Sequence, residues 1–150
     1  MLRRMSFPIF IDANVPIYAA GREHRLRSVC RQVISLAGST PAAFFTNVEV
    51  LQEMLHGYLT RGWSDGRVLF REFSTLMAGR IQPVLAADLA LGADLADRYG
   101  GLEARDLVHA AVMMRLGLNR LVSADRRFDT IPDLQRLDPQ DVAVWAAPLP

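Results

Sequence analysis

Short apolar runs alternate with helical stripes along the 150 residues. Phe7 to Ile11 is β-branched and aromatic and is bounded by Asp12 and Asn14, so it reads as a buried first strand, with Pro8 near its start where proline is tolerated. From Arg22 to about Leu36, the residues Leu26, Val29, Cys30, Val33 and Ile34 recur at helical spacing, while Arg22, Arg25, Arg27 and Arg31 are polar. This predicts an amphipathic helix that Gly38 ends. Ala42 to Phe45 predicts a second strand, and Thr46-Asn47-Val48-Glu49 has the pattern of a capping box opening a helix through Tyr58. A loop over Arg61 to Gly66 leads to a third helix, on which Val68, Leu69, Phe73, Leu76 and Met77 face one way and which Gly79 closes. Ile81 to Ala86 predicts a strand, Asp88 to Tyr99 a helix, and Ala104 to Leu116 a helix so apolar all round that it must be deeply buried. Arg120 to Ser123 is the fourth strand, and Leu134 to Leu137 allows a short fifth. Ala147 to Pro150 reads as a loose end.

Strands alternating with helices over the whole length predict an α/β fold, a single domain with a mostly parallel sheet of four or five strands flanked by helices. In such sheets a ligand sits beyond the carboxyl ends of the strands. No internal repeat, low-complexity tract or Pro/Gly-rich linker divides the chain. The apolar run behind Arg3 and Arg4 is too short for a secretory signal, and no window reaches the roughly 18 apolar residues that span a bilayer. The expectation is a soluble, cytoplasmic protein with no membrane partner. Because the first strand begins only at Phe7, Met5 serves as well as Met1 as the start.

Composition narrows the chemistry. All 17 basic residues are Arg, which removes Walker-A nucleotide binding and Schiff-base catalysis. The single Cys30 makes neither an internal disulfide nor a thiolate metal site, and His24, His56 and His109 lack the HExxH spacing. With 16 acids the net charge is only +1, so a nucleic-acid role must rest on where the charges lie.

The acids carry the signal. Asp12 follows the first strand and Asp125 follows the fourth, at the carboxyl edge of the sheet. Asp106 sits in the first turn of the most apolar helix, and Glu53 is embedded in Val50-Leu51-Gln52-Glu53-Met54-Leu55. Each has a structural explanation too: a turn or cap for Asp12 and Asp125, the helix dipole for Asp106, a half-exposed helix face for Glu53. Glu49 has a capping role, and His109, one turn after Asp106, is read as a core or supporting histidine rather than a ligand. Gathered together, the acids need an explanation of their own, because like charges about 4 Å apart repel by roughly 4 kcal/mol per pair at an effective dielectric of about 20. With no Lys, the resident must be an Arg or a bound cation. Oxygen-only ligands suit Mg²⁺ or Mn²⁺, ions that promote in-line phosphodiester hydrolysis.

These positions and their neighbours resemble the PIN-domain nucleases, and most closely the VapC-type ribonuclease toxins of toxin-antitoxin pairs, over about residues 7 to 139. Phe10-Ile11-Asp12-Ala13-Asn14-Val15-Pro16 is similar to the family's first motif, Val50-Leu51-Gln52-Glu53 to its second, Arg105-Asp106-Leu107-Val108-His109-Ala110-Ala111 to its third and Leu121-Val122-Ser123-Ala124-Asp125-Arg126-Arg127-Phe128-Asp129 to its fourth. The resemblance implies a three-layer PIN-like fold and an acidic quartet of Asp12, Glu53, Asp106 and Asp125. Asn14 and Ser123 would support the quartet, and Asp129 would hold a water or a basic partner, or cap a turn. Where the family often has Ser or Thr capping the third-motif helix, this chain has Glu103, which either adds charge at the rim or marks a moved cap.

The resemblance also implies an endoribonuclease using one or two Mg²⁺ or Mn²⁺ ions. Asp12 and Asp106 would be the direct ligands, and Glu53 and Asp125 would act through water or orient the attacking one. RNA contacts would fall to Arg22, Arg25, Arg27 and Arg31 on one helix, Arg67 and Arg71 on another, and Arg126 and Arg127 beside the site. Implied partners are RNA, a cognate antitoxin whose tail could place an Arg in the acidic pocket, and a second copy packed through the apolar faces of the helices at 46–58 and 68–77. Two rivals share the fold: a housekeeping RNA-processing nuclease and a non-catalytic RNA-binding or scaffold module.

Overall fold

The structure of the chain, a computed structural model, is described over residues 8–149. Five strands, β1 (Ile9–Ile11), β2 (Phe44–Asn47), β3 (Ile81–Gln82), β4 (Arg120–Val122) and β5 (Gln135–Leu137), form one parallel sheet in the order β3-β2-β1-β4-β5. Helices α1 (Asn14–Ala20), α2 (Arg27–Ser39), α3 (Val48–Arg61), α4 (Gly66–Leu76), α5 (Ala86–Arg98), α6 (Ala104–Arg115) and α7 (Val142–Trp145) connect and cover them. The α/β class and the five-stranded parallel sheet are those expected. β1 lies between β2 and β4, with Phe10 level with both Phe45 and Leu121, so the connections leave it in opposite directions. That reversal opens a crevice at the carboxyl ends of the central strands.

β1 and β4 are apolar throughout but for Arg120 at the start of β4, as strands covered on both faces must be. Phe10 packs edge-on against Phe45, with ring centroids 5.5 Å apart, and against the His109 ring at 5.0 Å. His109 is completely buried on α6, whose residues from Asp106 to Met113 are all inside the molecule. Cys30 is buried too, and burial pushes its thiol up to about 11, leaving it an inert core residue. No helix among the described residues is long and apolar enough to cross a membrane.

Several boundaries differ from expectation, each for a local reason. The first helix, α1, is not among the elements expected from the sequence. It is only 7 residues long, and Pro16 falls in its first turn, where no amide partner is lost. Arg22 and Arg25 lie in turns ahead of α2, not on it, because the His24 ring accepts the Leu26 N–H at 3.1 Å and the Arg27 N–H goes to the His24 carbonyl at 3.0 Å. Gly38 lies inside α2, which Pro41 stops instead. Pro41–Ala43 is a single 3-10 turn, which moves β2 two residues along from the expected start.

The Thr46–Glu49 capping box does not form. Thr46 belongs to β2 and its hydroxyl donates to the Ile11 carbonyl at 3.0 Å, whereas Asn47 caps α3 by accepting the Val50 N–H at 3.0 Å. α3 then runs past Tyr58 to Arg61, and Gly62 ends it in the left-handed conformation, φ 62°. β3 is only two residues long because Pro83 follows it, and α5 begins at Ala86, ahead of Asp88. Near the end expected to be loose, Leu149 packs partly buried against the core. Met1, Met5, Phe7 and Pro150 lie outside the described residues.

Candidate active site

Asp12 leaves β1 at its carboxyl end, and the backbone turn into α1 fixes its carboxylate. Oδ1 accepts the Ala13 N–H at 2.8 Å, and Oδ2 accepts the Asn14 amide at 3.0 Å and the Ser123 hydroxyl at 2.6 Å. Ser123, just past β4, also accepts the Asp125 N–H at 3.0 Å, and the Asn14 side-chain carbonyl accepts the Ala124 N–H at 3.2 Å. This lattice ties the ends of β1 and β4 together. Both expected supporting residues are in it.

The four acids singled out in the sequence converge. Asp12, Glu53, Asp106 and Asp125 line one hollow of about 460 Å³ beyond the sheet edge, together with Asn14, Glu103 and the guanidiniums of Arg61, Arg105 and Arg127. Five carboxylates face three guanidiniums, an excess of two negative charges.

Asp106 stands at the third position of α6 and reaches back to accept the Glu103 N–H at 3.0 Å. The Glu103 carboxylate accepts Arg127 at 3.0 Å and Arg105 at 3.1 Å, so it adds negative charge at the rim, one of the two roles the sequence left open for it. Arg127 grips Asp125 closely, with Nη2 to Oδ2 at 2.7 Å, and stands 3.9 Å from Asp106. Burial alone would raise the Asp125 carboxyl, but the Arg127 side-chain and backbone hydrogen bonds outweigh it and hold the group below the ordinary carboxylate value. Asp106 goes the other way: burial raises it, and its hydrogen bond and the more distant Arg127 do not compensate. Asp12 is likewise raised by burial, against the pull of His109 and Ser123.

His109 is more involved than a core histidine. Its Nε2 lies 3.1 Å from Glu53 Oε1 and 3.8 Å from Asp12 Oδ1, and its Nδ1 lies 3.0 Å from the Asn47 amide nitrogen. Because the Asn47 carbonyl oxygen caps α3, its NH₂ must face the ring, so Nδ1 accepts and Nε2 donates to Glu53. Asp12, Glu53 and His109 offer atoms within 4.8 Å of one another, a spacing that could hold a metal ion. For the ring to ligate, its proton would have to move to Nδ1 and face the Asn47 NH₂. The arrangement therefore favours His109 as the group that orients Glu53. The sequence signal for it was a lone polar ring inside an otherwise apolar helix face.

Other residues sit apart from the hollow. Asp129 pairs with Arg136 through two bonds of 3.0 and 3.2 Å, and Arg136 also donates to the Ser123 carbonyl, so the basic partner allowed by the sequence is Arg136. Glu49 lies one turn before Glu53 on α3, and burial raises its carboxyl. Arg126 does not line the hollow, nor does Arg25; Arg22 and Arg27 line a groove next to it. Arg31 is committed to the Ala19 carbonyl at 2.8 Å. The apolar faces of α3 and α4, expected to meet a second copy, are used within the chain by Val50, Met54, Leu69 and Phe73.

Known proteins resemble this chain in sequence and in fold. The family model described as PIN domain matches residues 9–134. Ribonuclease VapC7 of Mycobacterium tuberculosis is 36% identical over 132 residues, covering 87% of this chain and 91% of the relative. Among solved structures, FitAcB from Neisseria gonorrhoeae superposes with a TM-score of 0.67 at 20% identity, over 88% of this chain and 98% of that one. A toxin-antitoxin complex from Klebsiella pneumoniae gives 0.62 at 16% identity, over 87% and 97%.

Proposed function

Since the chain belongs to the PIN-domain family, with its acids drawn into one hollow at the sheet edge, we propose that it is a metal-dependent endoribonuclease, the toxin of a toxin-antitoxin pair acting in the cytoplasm. One observation carries this reading: the two most buried acids of the hollow, Asp12 and Asp106, have no guanidinium nearer than 3.9 Å among the described residues. Anionic oxygens left so in a buried site call for a cation from outside the chain.

The donor set fits a hard divalent ion. Its atoms are carboxylate oxygens with one amide and one hydroxyl behind them, and the surplus of two negative charges matches Mg²⁺ or Mn²⁺. Asp12 and Asp106 would hold the ion directly, and Glu53 and Asp125 through water. When bound, such an ion offsets the charge that develops on a phosphodiester under attack and makes water a better nucleophile at neutral pH. The chain's own residues supply order. Ala13, Asn14 and Ser123 aim Asp12 at the hollow, and the Glu103 N–H aims Asp106. His109 turns Glu53 inward, where the carboxylate can orient a water for in-line attack. No covalent intermediate is needed.

Arg127 inside the acid cluster shows by example that a guanidinium fits there. An arginine carried on the tail of an antitoxin would be received in the same way, bidentate to two carboxylates, and would exclude the metal. Self-association belongs to this proposal too, through what α3 and α4 leave exposed, Leu59 and Val68.

The test is Asp12→Asn, purified free of partner. We expect a folded protein whose Mg²⁺- or Mn²⁺-dependent cleavage of RNA falls by at least about 10²-fold, since loss of the ion's charge costs several kcal/mol in the transition state. Undiminished cleavage by the variant would remove Asp12 from the site.

A further inference from the structure

A second depression of about 820 Å³ opens beside the acidic hollow and shares Ile17, Tyr18 and Arg61 with it, so the two are continuous. Its lining is of a different kind. Tyr18, one turn after Asn14 on α1, stacks on His24 with ring centroids 4.0 Å apart and planes only 10° from parallel. The imidazole is pinned at that angle by accepting the Leu26 N–H. Trp63, which also lines the groove, follows the left-handed Gly62 and packs against Gly66, where an added Cβ would come within 3.0 Å of the indole. Its backbone N–H goes to the Tyr58 carbonyl at 3.2 Å and its side chain is partly buried against the core, so the ring is held rather than loose on the surface.

The charges of this groove are uncommitted. Arg61, at the junction, has no carboxylate partner among the described residues, and neither has Arg22. The Arg27 Nε is buried with no hydrogen-bond partner among the described residues, an orphan donor of the kind that a ligand or a phosphate completes. Glu23 and Asp65 also line the groove, leaving three guanidiniums against two carboxylates.

Flat rings fixed in place, with guanidiniums alongside them, are the chemistry that receives an unpaired nucleobase and its phosphate. We propose that this groove is a single-stranded RNA subsite on one flank of the cleaved bond. Trp63 and the Tyr18–His24 stack take a nucleobase, and Arg61 holds the phosphate between that nucleotide and the acids. This rests on the ribonuclease reading of the acidic hollow. The groove would discriminate against paired nucleotides, because a base inside a duplex has no free face to stack.

The experiment separates binding from cutting. In chelator, where no hydrolysis occurs, a short fluorescein-labelled single-stranded RNA of mixed sequence is titrated into the full chain and followed by anisotropy. In a Trp145→Phe background, the fluorescence of Trp63 is followed as well, with unlabelled RNA. RNA should quench Trp63. Trp63→Leu should weaken binding by on the order of tenfold or more, and Trp63→Phe, which keeps a ring, should restore most of it. Arg61→Gln, at an exposed position, should weaken binding and lower the salt slope by about one.

The proposal is overturned if Trp63 is not quenched and both Trp63→Leu and Arg61→Gln bind as the parent does. It is also overturned if a duplex of the same sequence binds equally well, or if RNA leaves the groove untouched while an arginine-bearing peptide quenches Trp63, which would make the groove a protein-docking site. With metal restored, cleavage by the parent alongside an unchanged KM in Trp63→Leu sinks the subsite and leaves the nuclease standing. Quenching by RNA that is never cut supports the subsite and sinks the nuclease.

Discussion

Asp88 and Asp106 occupy the same position on neighbouring helices and have opposite fates. Each stands at the third residue of its helix, α5 or α6, and each reaches back to the N–H at the helix start, Leu85 at 2.8 Å and Glu103 at 3.0 Å. Both are buried, with 1% and 6% of their surface exposed. Arg115 closes on Asp88 with bonds of 2.7 and 3.1 Å and ties it to the Pro83 carbonyl, whereas Arg127 stays 3.9 Å from Asp106 and directs its hydrogen bonds to Asp125 and Glu103. One local motif thus yields a sealed structural joint or an open anionic site, and the nearest guanidinium decides which.

The sharpest way to break this comparison is to neutralise each acid in turn. Asp106→Asn should cut metal-dependent RNA cleavage by at least about 10²-fold, while the urea midpoint in chelator stays the same or rises, because a buried unpaired charge is removed. Asp88→Ala should leave the specific activity of the folded fraction unchanged and lower unfolding free energy by about 2 kcal/mol, since it removes the charge-assisted bonds between buried Asp88 and the partly exposed Arg115. Equal and opposite results would mean that the two joints had been assigned the wrong way round.

The smallest effect is in pH. Hydrogen bonds from Arg115, against the cost of burial, hold Asp88 below its ordinary 3.8. Its stabilisation is therefore present above that pH and is lost as acid carries the group through its lowered value. Asp106 is raised by burial, so its contribution favours the fold below 3.8 and fades as pH rises through the folded value. Urea midpoints in chelator should accordingly converge for wild type and Asp88→Ala in strong acid. Those of wild type and Asp106→Asn should converge in acid and separate, in the variant's favour, toward neutral pH.

Much of this was legible in the chain. The strands β1 and β4 announce themselves as apolar runs with an acid close behind, and α6 as a helix too apolar to be anything but interior. The four acids could be picked out because Asp12 and Asp125 follow strands at the carboxyl edge of the sheet, while Asp106 and Glu53 interrupt otherwise apolar helical segments. What escaped was set by contacts between distant segments. Thr46 looks like a cap until β1 is beside it to take its hydroxyl, and Asn47 then inherits the role. α1 is too short and its Pro16 too discouraging to stand out, although the backbone needs that turn to bring Asn14 onto Asp12. His109 could be flagged only as an oddity, because Asn47 and Glu53, which give its two nitrogens their tasks, lie far away in sequence.

The double use of Asn47 has a further consequence. One end of its carboxamide fixes where α3 begins, and the other fixes which way the His109 imidazole points. The same small group therefore works as a gauge block between scaffold and chemistry: if α3 slipped by a single residue, the ring would lose its reference and Glu53 would turn out of line. Asn47→Asp is the telling exchange, since it keeps the gauge's shape and its grip on the helix but reverses the sense of the contact with the ring.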